Sequence, residues 1–169
     1  MDRIAVIGSP GSGKSTLSRR LGNILGLPVY HLDRIYWNPG WEATPKVQFS
    51  RHHREILELP RWIIDGHYAW TLRERLEAAD TVIYLDYPRL LCLKRALGRV
   101  FRPRPRPDMA EGCPEGIDGE LLSFLSYIWK FRGRNAASID TLLEGARPHT
   151  HILRFNSPRE SERFLQDLG

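Results

Sequence analysis

The residues with the plainest chemical meaning stand near the start of the chain, in the run Gly8-Ser9-Pro10-Gly11-Ser12-Gly13-Lys14-Ser15. Closely spaced anionic oxygens are held best by backbone N–H groups that no side chain obstructs, which is the work of glycines in a turn that opens a helix. In this pattern Gly8, Gly11 and Gly13, with Pro10 and Ser12 between them, wrap the β-phosphate of a nucleoside triphosphate. Lys14 reaches the β and γ oxygens, the Ser15 hydroxyl is placed for Mg²⁺, and Thr16 falls near the α-phosphate. The octet follows an apolar run and precedes an amphipathic one, the context in which the pattern is specific.

Two carboxylates are candidates for the rest of the chemistry. Asp65 closes the apolar run Trp62-Ile63-Ile64 and can hold the metal's water, although Asp-Gly is also an ordinary strand-end turn. No second acid follows it, which argues against a water-activating ATPase. Asp33 ends Val29-Tyr30-His31-Leu32 and is followed by Tyr36, Trp37 and Trp41. A carboxylate there can orient an acceptor hydroxyl in line with the γ-phosphate and take its proton, with the aromatics walling the acceptor, or it can simply cap a helix. The third group is basic: Arg95 and Arg99, one helical turn apart, then Arg102, Arg104 and Arg106. Guanidinium groups closing over a transferring phosphoryl neutralise its charge, and a lid delivers them while excluding water. A solvated helix face, or an anionic-surface patch for the Arg-Pro run, is the alternative. Arg132 and Arg134 are further candidates for the same phosphates, with chance surface placement as the alternative. The six histidines form no metal pattern; His31 and His67 flank the two carboxylates.

The elements that must position these groups alternate. Strands are expected over 4–7, 28–32, 62–64, 81–85 and 151–155. Helices are expected after the glycine loop to Leu25, from Thr44-Pro45 to about Leu59, from a Thr71/Glu74 capping box through Ala78, from Pro88, over two stretches from Leu121 and from Ile139, and after a Ser157/Glu160 capping box. Five strands alternating with helices predict an α/β, three-layer α/β/α P-loop fold, with a parallel sheet of order 2-3-1-4-5 and binding groups at the carboxyl ends of its strands. Residues 1–169 are read as one domain, with an acceptor-binding region about 33–60 and a lid about 100–120. Residues 102–119 are rich in proline and glycine and are expected to be a mobile insertion that adds little to the core.

Composition bounds the class. With 41% hydrophobic and 27% charged residues the 169-residue chain has enough apolar content to fold alone. Cys92 and Cys113 form neither a disulfide framework nor a paired zinc motif; Cys92 reads as core packing and Cys113 as a loop thiol. No apolar run reaches the roughly 18 residues of a membrane span, and no signal-peptide layout precedes the first strand, so the expectation is a cytoplasmic protein without a membrane partner. The net charge of +5 comes largely from the stretch Lys94 to Arg106, outside which bases and acids nearly balance. The excess is local and points to a site.

The runs Ile-Gly-Ser-Pro-Gly-Ser-Gly-Lys-Ser-Thr at 7–16, Trp-Ile-Ile-Asp-Gly at 62–66 and Val-Ile-Tyr-Leu-Asp-Tyr-Pro at 82–88 resemble, in order and spacing, the adenylate-kinase-like group of P-loop kinases. Arg95 and Arg99 fall where that group carries lid-proximal arginines. More narrowly, Leu-Pro-Val-Tyr-His-Leu-Asp at 27–33, Pro-Gly-Trp at 39–41 and Arg-Pro-Asp-Met-Ala-Glu-Gly-Cys-Pro-Glu at 106–115 are similar to adenylate-kinase-related proteins labelled DNA topology modulation proteins (FlaR-like). Where adenylate kinases follow Asp-Gly with Phe-Pro-Arg, this chain has His67-Tyr68-Ala69. Its His31-Leu32-Asp33 replaces Thr-Gly-Asp and is closer to shikimate and gluconate kinases, so AMP does not carry over as the acceptor. The reading is Mg-ATP-dependent phosphoryl transfer to a small acceptor (nucleoside, nucleotide or polyol) by a monomer or homodimer. Lys14, Asp33, Arg95 and Arg99 are its catalytic candidates, and Ser15 and Asp65 its metal candidates. The competing expectation is a nucleotide-dependent regulator that binds DNA through Arg102 to Arg106.

Overall fold

The structure is a computed structural model and describes residues 1–101, 107–113, 119–146, 148 and 150–169. Its elements in chain order are β1 (Arg3–Gly8), α1 (Lys14–Leu25), β2 (Val29–His31), α2 (Leu32–Tyr36), β3 (Trp37–Asn38), β4 (Glu42–Ala43) and α3 (Lys46–Leu57). They continue with β5 (Trp62–Asp65), α4 (Ala69–Ala78), β6 (Thr81–Leu85), α5 (Arg89–Phe101), α6 (Leu121–Glu144), β7 (His151–Phe155) and α7 (Pro158–Leu168).

The main sheet is parallel, in the order β2-β5-β1-β6-β7. Counting only its own strands along the chain, that is 2-3-1-4-5, with a short antiparallel β3–β4 hairpin standing apart from it. The central strands are continuous apolar runs because both faces are covered: Ile4, Ala5, Val6 and Ile7 are all fully buried. Strand pleating sends alternate residues to opposite layers. Ala5, Ile7, Ile64 and Val82 pack with Phe49, Leu72, Leu76, Phe131 and Ile139. Ile4, Val6, Ile63 and Ile83 pack with Leu17, Leu21, Cys92, Ala96 and Leu165 on the other face.

Several local expectations are corrected. Residue 32 leaves the strand and starts α2, so Asp33 lies in the first turn of a short helix rather than at a strand end. Thr44 does not cap α3: Pro45 is the N-cap, and the Thr44 hydroxyl donates to Ile35 O at 3.0 Å, bracing the hairpin against α2. Thr71 lies inside α4, which begins at Ala69 after an N-cap at Tyr68, and Glu74 pairs with Arg54 instead of closing a capping box. At α7 the box is half realised, since Glu160 accepts from the Asn156 N–H at 2.8 Å and from the Ser157 hydroxyl while Ser157 makes no cap bond. The two stretches from Leu121 and Ile139 are one helix, α6, so Arg132 and Arg134 stand mid-helix.

Within the insertion, the described segment 107–113 is docked rather than peripheral. Met109 and Cys113 are each only 8% exposed, the Gly40 N–H donates to Gly112 O at 2.8 Å, and the Cys113 thiol donates to Asn38 O at 3.1 Å. Cys113 is thus a loop thiol, as expected, and is buried against the hairpin. Arg102, Arg104 and Arg106 lie outside the described residues. Among the described residues no helix is long and apolar enough to cross a membrane.

Candidate functional site

The strand-to-helix turn at 8–15 is shaped by its neighbours as much as by any ligand. Gly8 has φ +147° and a Cβ there would lie 2.7 Å from Leu85 O of β6; Gly11 has φ +80° and its Cβ would lie 2.3 Å from Cys92 O of α5. The loop is thus wedged between β6 and α5, and side chains are excluded from its back. Gly13, at φ +97°, caps α1 in the left-handed region. The Ser12 N–H donates to Ser9 O at 3.1 Å, which closes the turn. Thr16 is exposed in the first turn of α1.

Lys14 folds back so that its ammonium donates to Ser9 O at 3.0 Å. Burial pulls this ammonium below the ordinary lysine range, and the carboxylates Asp33 and Asp65 pull the other way, so all three groups share one electrostatic neighbourhood. Arg99, from α5, disfavours the Lys14 charge. Arg95 has a different place: its guanidinium donates to Ser12 O at 2.9 Å and lies over the Tyr87 ring at 5.7 Å, tying the loop to α5. Arg132 pairs with buried Asp86 at 3.3 Å, an acid that Arg154 also holds at 2.7 Å. Arg134 is near enough to Tyr127 to act on its phenol.

Asp65 is 2% exposed at the end of β5. One oxygen, Oδ1, accepts from the Ser15 hydroxyl at 3.4 Å; the other, Oδ2, is 2.5 Å from His31 Nδ1. A carboxylate accepts, so the His31 Nδ1 carries the hydrogen. The pairing follows from register, because His31 and Asp65 are direct partners in the parallel β2–β5 ladder. His31 was placed beside the carboxylates by the sequence, but the contact needed the strand order. Among the described residues no group of three or more His, Cys, Asp or Glu could hold a metal by itself. Mg²⁺ takes one or two protein oxygens and completes its shell with waters and substrate phosphates. A hydroxyl and a carboxylate facing each other at the mouth of the loop fit such an ion.

Asp33 accepts from the Tyr68 hydroxyl at 2.7 Å. Tyr68 also stacks on Tyr36, Phe49 and Trp70, at centroid distances of 5.0, 4.9 and 5.2 Å, so Tyr36 belongs to an aromatic group beside Asp33. Trp37 and Trp41 pair with each other on the hairpin. His67 Nε2 contacts Asn135 Oδ1 at 3.1 Å, and burial lowers its pKa to about 4. Two residues of this site escaped the sequence reading. Tyr68 was noted only as a departure from the Phe-Pro-Arg pattern. Arg75, fully buried in α4, donates to Gly66 O at 3.0 Å and to His67 O at 2.8 Å, bracing the turn after Asp65. Its one signal was a basic residue four positions after the helix-opening Thr71, on a face that had to pack.

No protein-family model matches the chain. The shikimate kinase of Paramagnetospirillum magneticum is 28% identical over 134 residues, 70% of this chain and 67% of its own length. The adenylate kinase of Thermosipho melanesiensis is 28% identical over 102 residues, 59% of this chain, and the chain spans only 46% of that relative. Among solved structures, a shikimate kinase from Acinetobacter baumannii in complex with shikimate matches with a TM-score of 0.58 at 20% identity, over 99% of this chain and 90% of that one. The α/β fold with its five-stranded parallel sheet is thus that of shikimate kinase structures.

Proposed function

We propose that this chain, read as one domain over 1–169, is a Mg-ATP-dependent kinase that transfers the γ-phosphoryl group to a small hydroxyl or phosphate acceptor. The observation that carries the reading is the glycine loop itself, with the Lys14 ammonium donating to Ser9 O and Asp65 facing the Ser15 hydroxyl at its mouth. Its similarity to curated shikimate and adenylate kinases supports phosphoryl transfer to a small molecule.

In this reading the N–H groups of Gly8 to Thr16 and the Lys14 ammonium hold the triphosphate, and Arg99 adds charge where the γ-phosphoryl group moves. Arg95 steadies the loop from α5. Ser15 and Asp65 would hold Mg²⁺, which would neutralise phosphate charge. For a hydroxyl acceptor, Asp33 takes the proton as the acceptor oxygen bonds to the γ-phosphorus; the bond from phosphorus to the β,γ-bridging oxygen breaks, and ADP leaves. A phosphate acceptor has no such proton to give up. The acceptor sits on the side of α2, the hairpin and α3, about 33–60, and the lid is the segment about 100–120.

The test is ADP release from Mg-ATP across nucleosides, nucleoside monophosphates and small polyols. The expected result is acceptor-stimulated release that falls by about 100-fold or more in both Lys14→Met and Asp33→Asn. Full activity in Lys14→Met would contradict the assignment of the loop.

A further inference from the structure

Tyr68 occupies a backbone conformation that its residue type disfavours. Its φ is +33° and ψ 75°, in the left-handed region, which side chains other than glycine rarely adopt. Strain of this kind persists when the surroundings impose it and the side chain is needed there. Both conditions are met. Buried Arg75 binds the two carbonyls just before Tyr68, fixing the turn. The ring is wedged among Tyr36, Phe49 and Trp70, and its hydroxyl reaches Asp33 Oδ1. Burial and the Asp33 charge push the phenol well above the ordinary tyrosine range, so it remains a donor.

The same turn begins at Asp65. Residues 65 and 68 of one rigid turn are therefore bonded to residues 31 and 33 of the β2–α2 segment, through His31–Asp65 and Tyr68–Asp33. The two bonds form a double clasp between the metal side and the acceptor side of the site.

We propose that Tyr68 is the positioning residue of the acceptor-side carboxylate: its hydroxyl, held on Asp33 by the Arg75-braced turn that also carries Asp65, fixes the orientation in which Asp33 meets the acceptor. This rests on the kinase reading for the role of Asp33, while the clasp itself does not. Tyr68 does not carry out the chemistry; its hydroxyl holds one oxygen, Oδ1, of Asp33 in the first turn of α2.

Two measurements on the full chain test it. In protein labelled with ¹³C at the tyrosine ring, the Tyr68 hydroxyl proton is expected to exchange with water about tenfold faster or more in Asp33→Ala than in the wild type, since a hydrogen bond to a charged acceptor protects more than one between neutral groups. Tyr68→Phe keeps the ring and its packing. With the best acceptor of the panel, it is expected to lower kcat about tenfold with the KM for ATP unchanged, because the donor side is untouched. Equal exchange in wild type and Asp33→Ala overturns the clasp. Faster exchange together with an unchanged kcat in Tyr68→Phe, or a loss that follows the folded fraction alone, overturns the positioning role and leaves Tyr68 as packing. No acceptor-dependent turnover in the wild type defeats the kinase reading and the acceptor role with it, whereas the exchange result still decides the clasp.

Discussion

A methyl group on Gly11 would meet a carbonyl oxygen of α5 at 2.3 Å, well inside contact distance, whereas one on Gly13 would meet only the movable Arg95 Nη1 at 3.3 Å. Both glycines have positive φ, so both substitutions carry backbone strain of about 1–2 kcal/mol, but only Gly11→Ala must also push the loop off α5. Gly11→Ala is expected to weaken Mg-ATP binding and lower the thermal midpoint more than Gly13→Ala, measured by calorimetric titration and thermal unfolding; equal effects would mean the loop is shaped by its dihedrals alone. The octet itself was legible in the sequence because its spacing is local. The second reason for its glycines was not, since Leu85 and Cys92 lie far along the chain. The same holds for Asp33 and Asp65: both stand out as candidates from their place after apolar runs, whereas their contacts with Tyr68 and His31 appear only in the fold, the latter because the register sets β2 against β5.

At the scale of elements, the continuous apolar strands were legible because each is short, unbroken and bounded by turn residues, and 81–85 and 151–155 come out as read. Helix starts were less so. Thr71 and Glu74 have the spacing of a capping box, but other contacts claim both side chains: the Thr71 hydroxyl donates locally to Tyr68 O at 3.2 Å, and Glu74 accepts from Arg54 of α3. The helix start is set instead by the Arg75-braced turn before it. Arg75→Met leaves the Gly66 and His67 carbonyls without that donor, at a cost of about 1–3 kcal/mol for an unsatisfied buried group. Amide exchange over residues 66–68 is expected to quicken more than exchange in β1 or β6. A uniform increase through the sheet would mean that Arg75 supports the whole fold rather than the turn. The hairpin 37–43 and its contact with 107–113 were the least readable, because two-residue strands carry no period and Gly40 meets Gly112 across a long insertion.

For the molecule as a whole, two histidines, His53 buried and His67 half-buried, tie stability to pH. Burial lowers His53, which is fully buried in α3, from its ordinary 6.5 to about 4, and His67 likewise. Above pH 6.5 neither folded nor unfolded chain is protonated at these sites, and stability is unaffected by them. Between about 6.5 and 4 the unfolded chain binds the protons first, so stability falls with falling pH, by up to about 1.4 kcal/mol per pH unit for each histidine. Urea midpoints at pH 7.5, 6 and 5 should drop accordingly, and His53→Leu should remove about half of the slope; a flat profile would mean that these sites open to water. The charge of the whole molecule is a weaker guide than its placement, since Lys14 from α1 and Arg95 from α5 both donate to carbonyls of the glycine loop. The central claim, phosphoryl transfer at that loop, is tested most directly by following labelled γ-phosphate from Mg-ATP in the presence of the acceptor panel. The account predicts label in a small-molecule product, dependent on both Lys14 and Asp33. Label that appears only as inorganic phosphate, at the same rate with and without every acceptor and unaffected by Asp33→Asn, would contradict it.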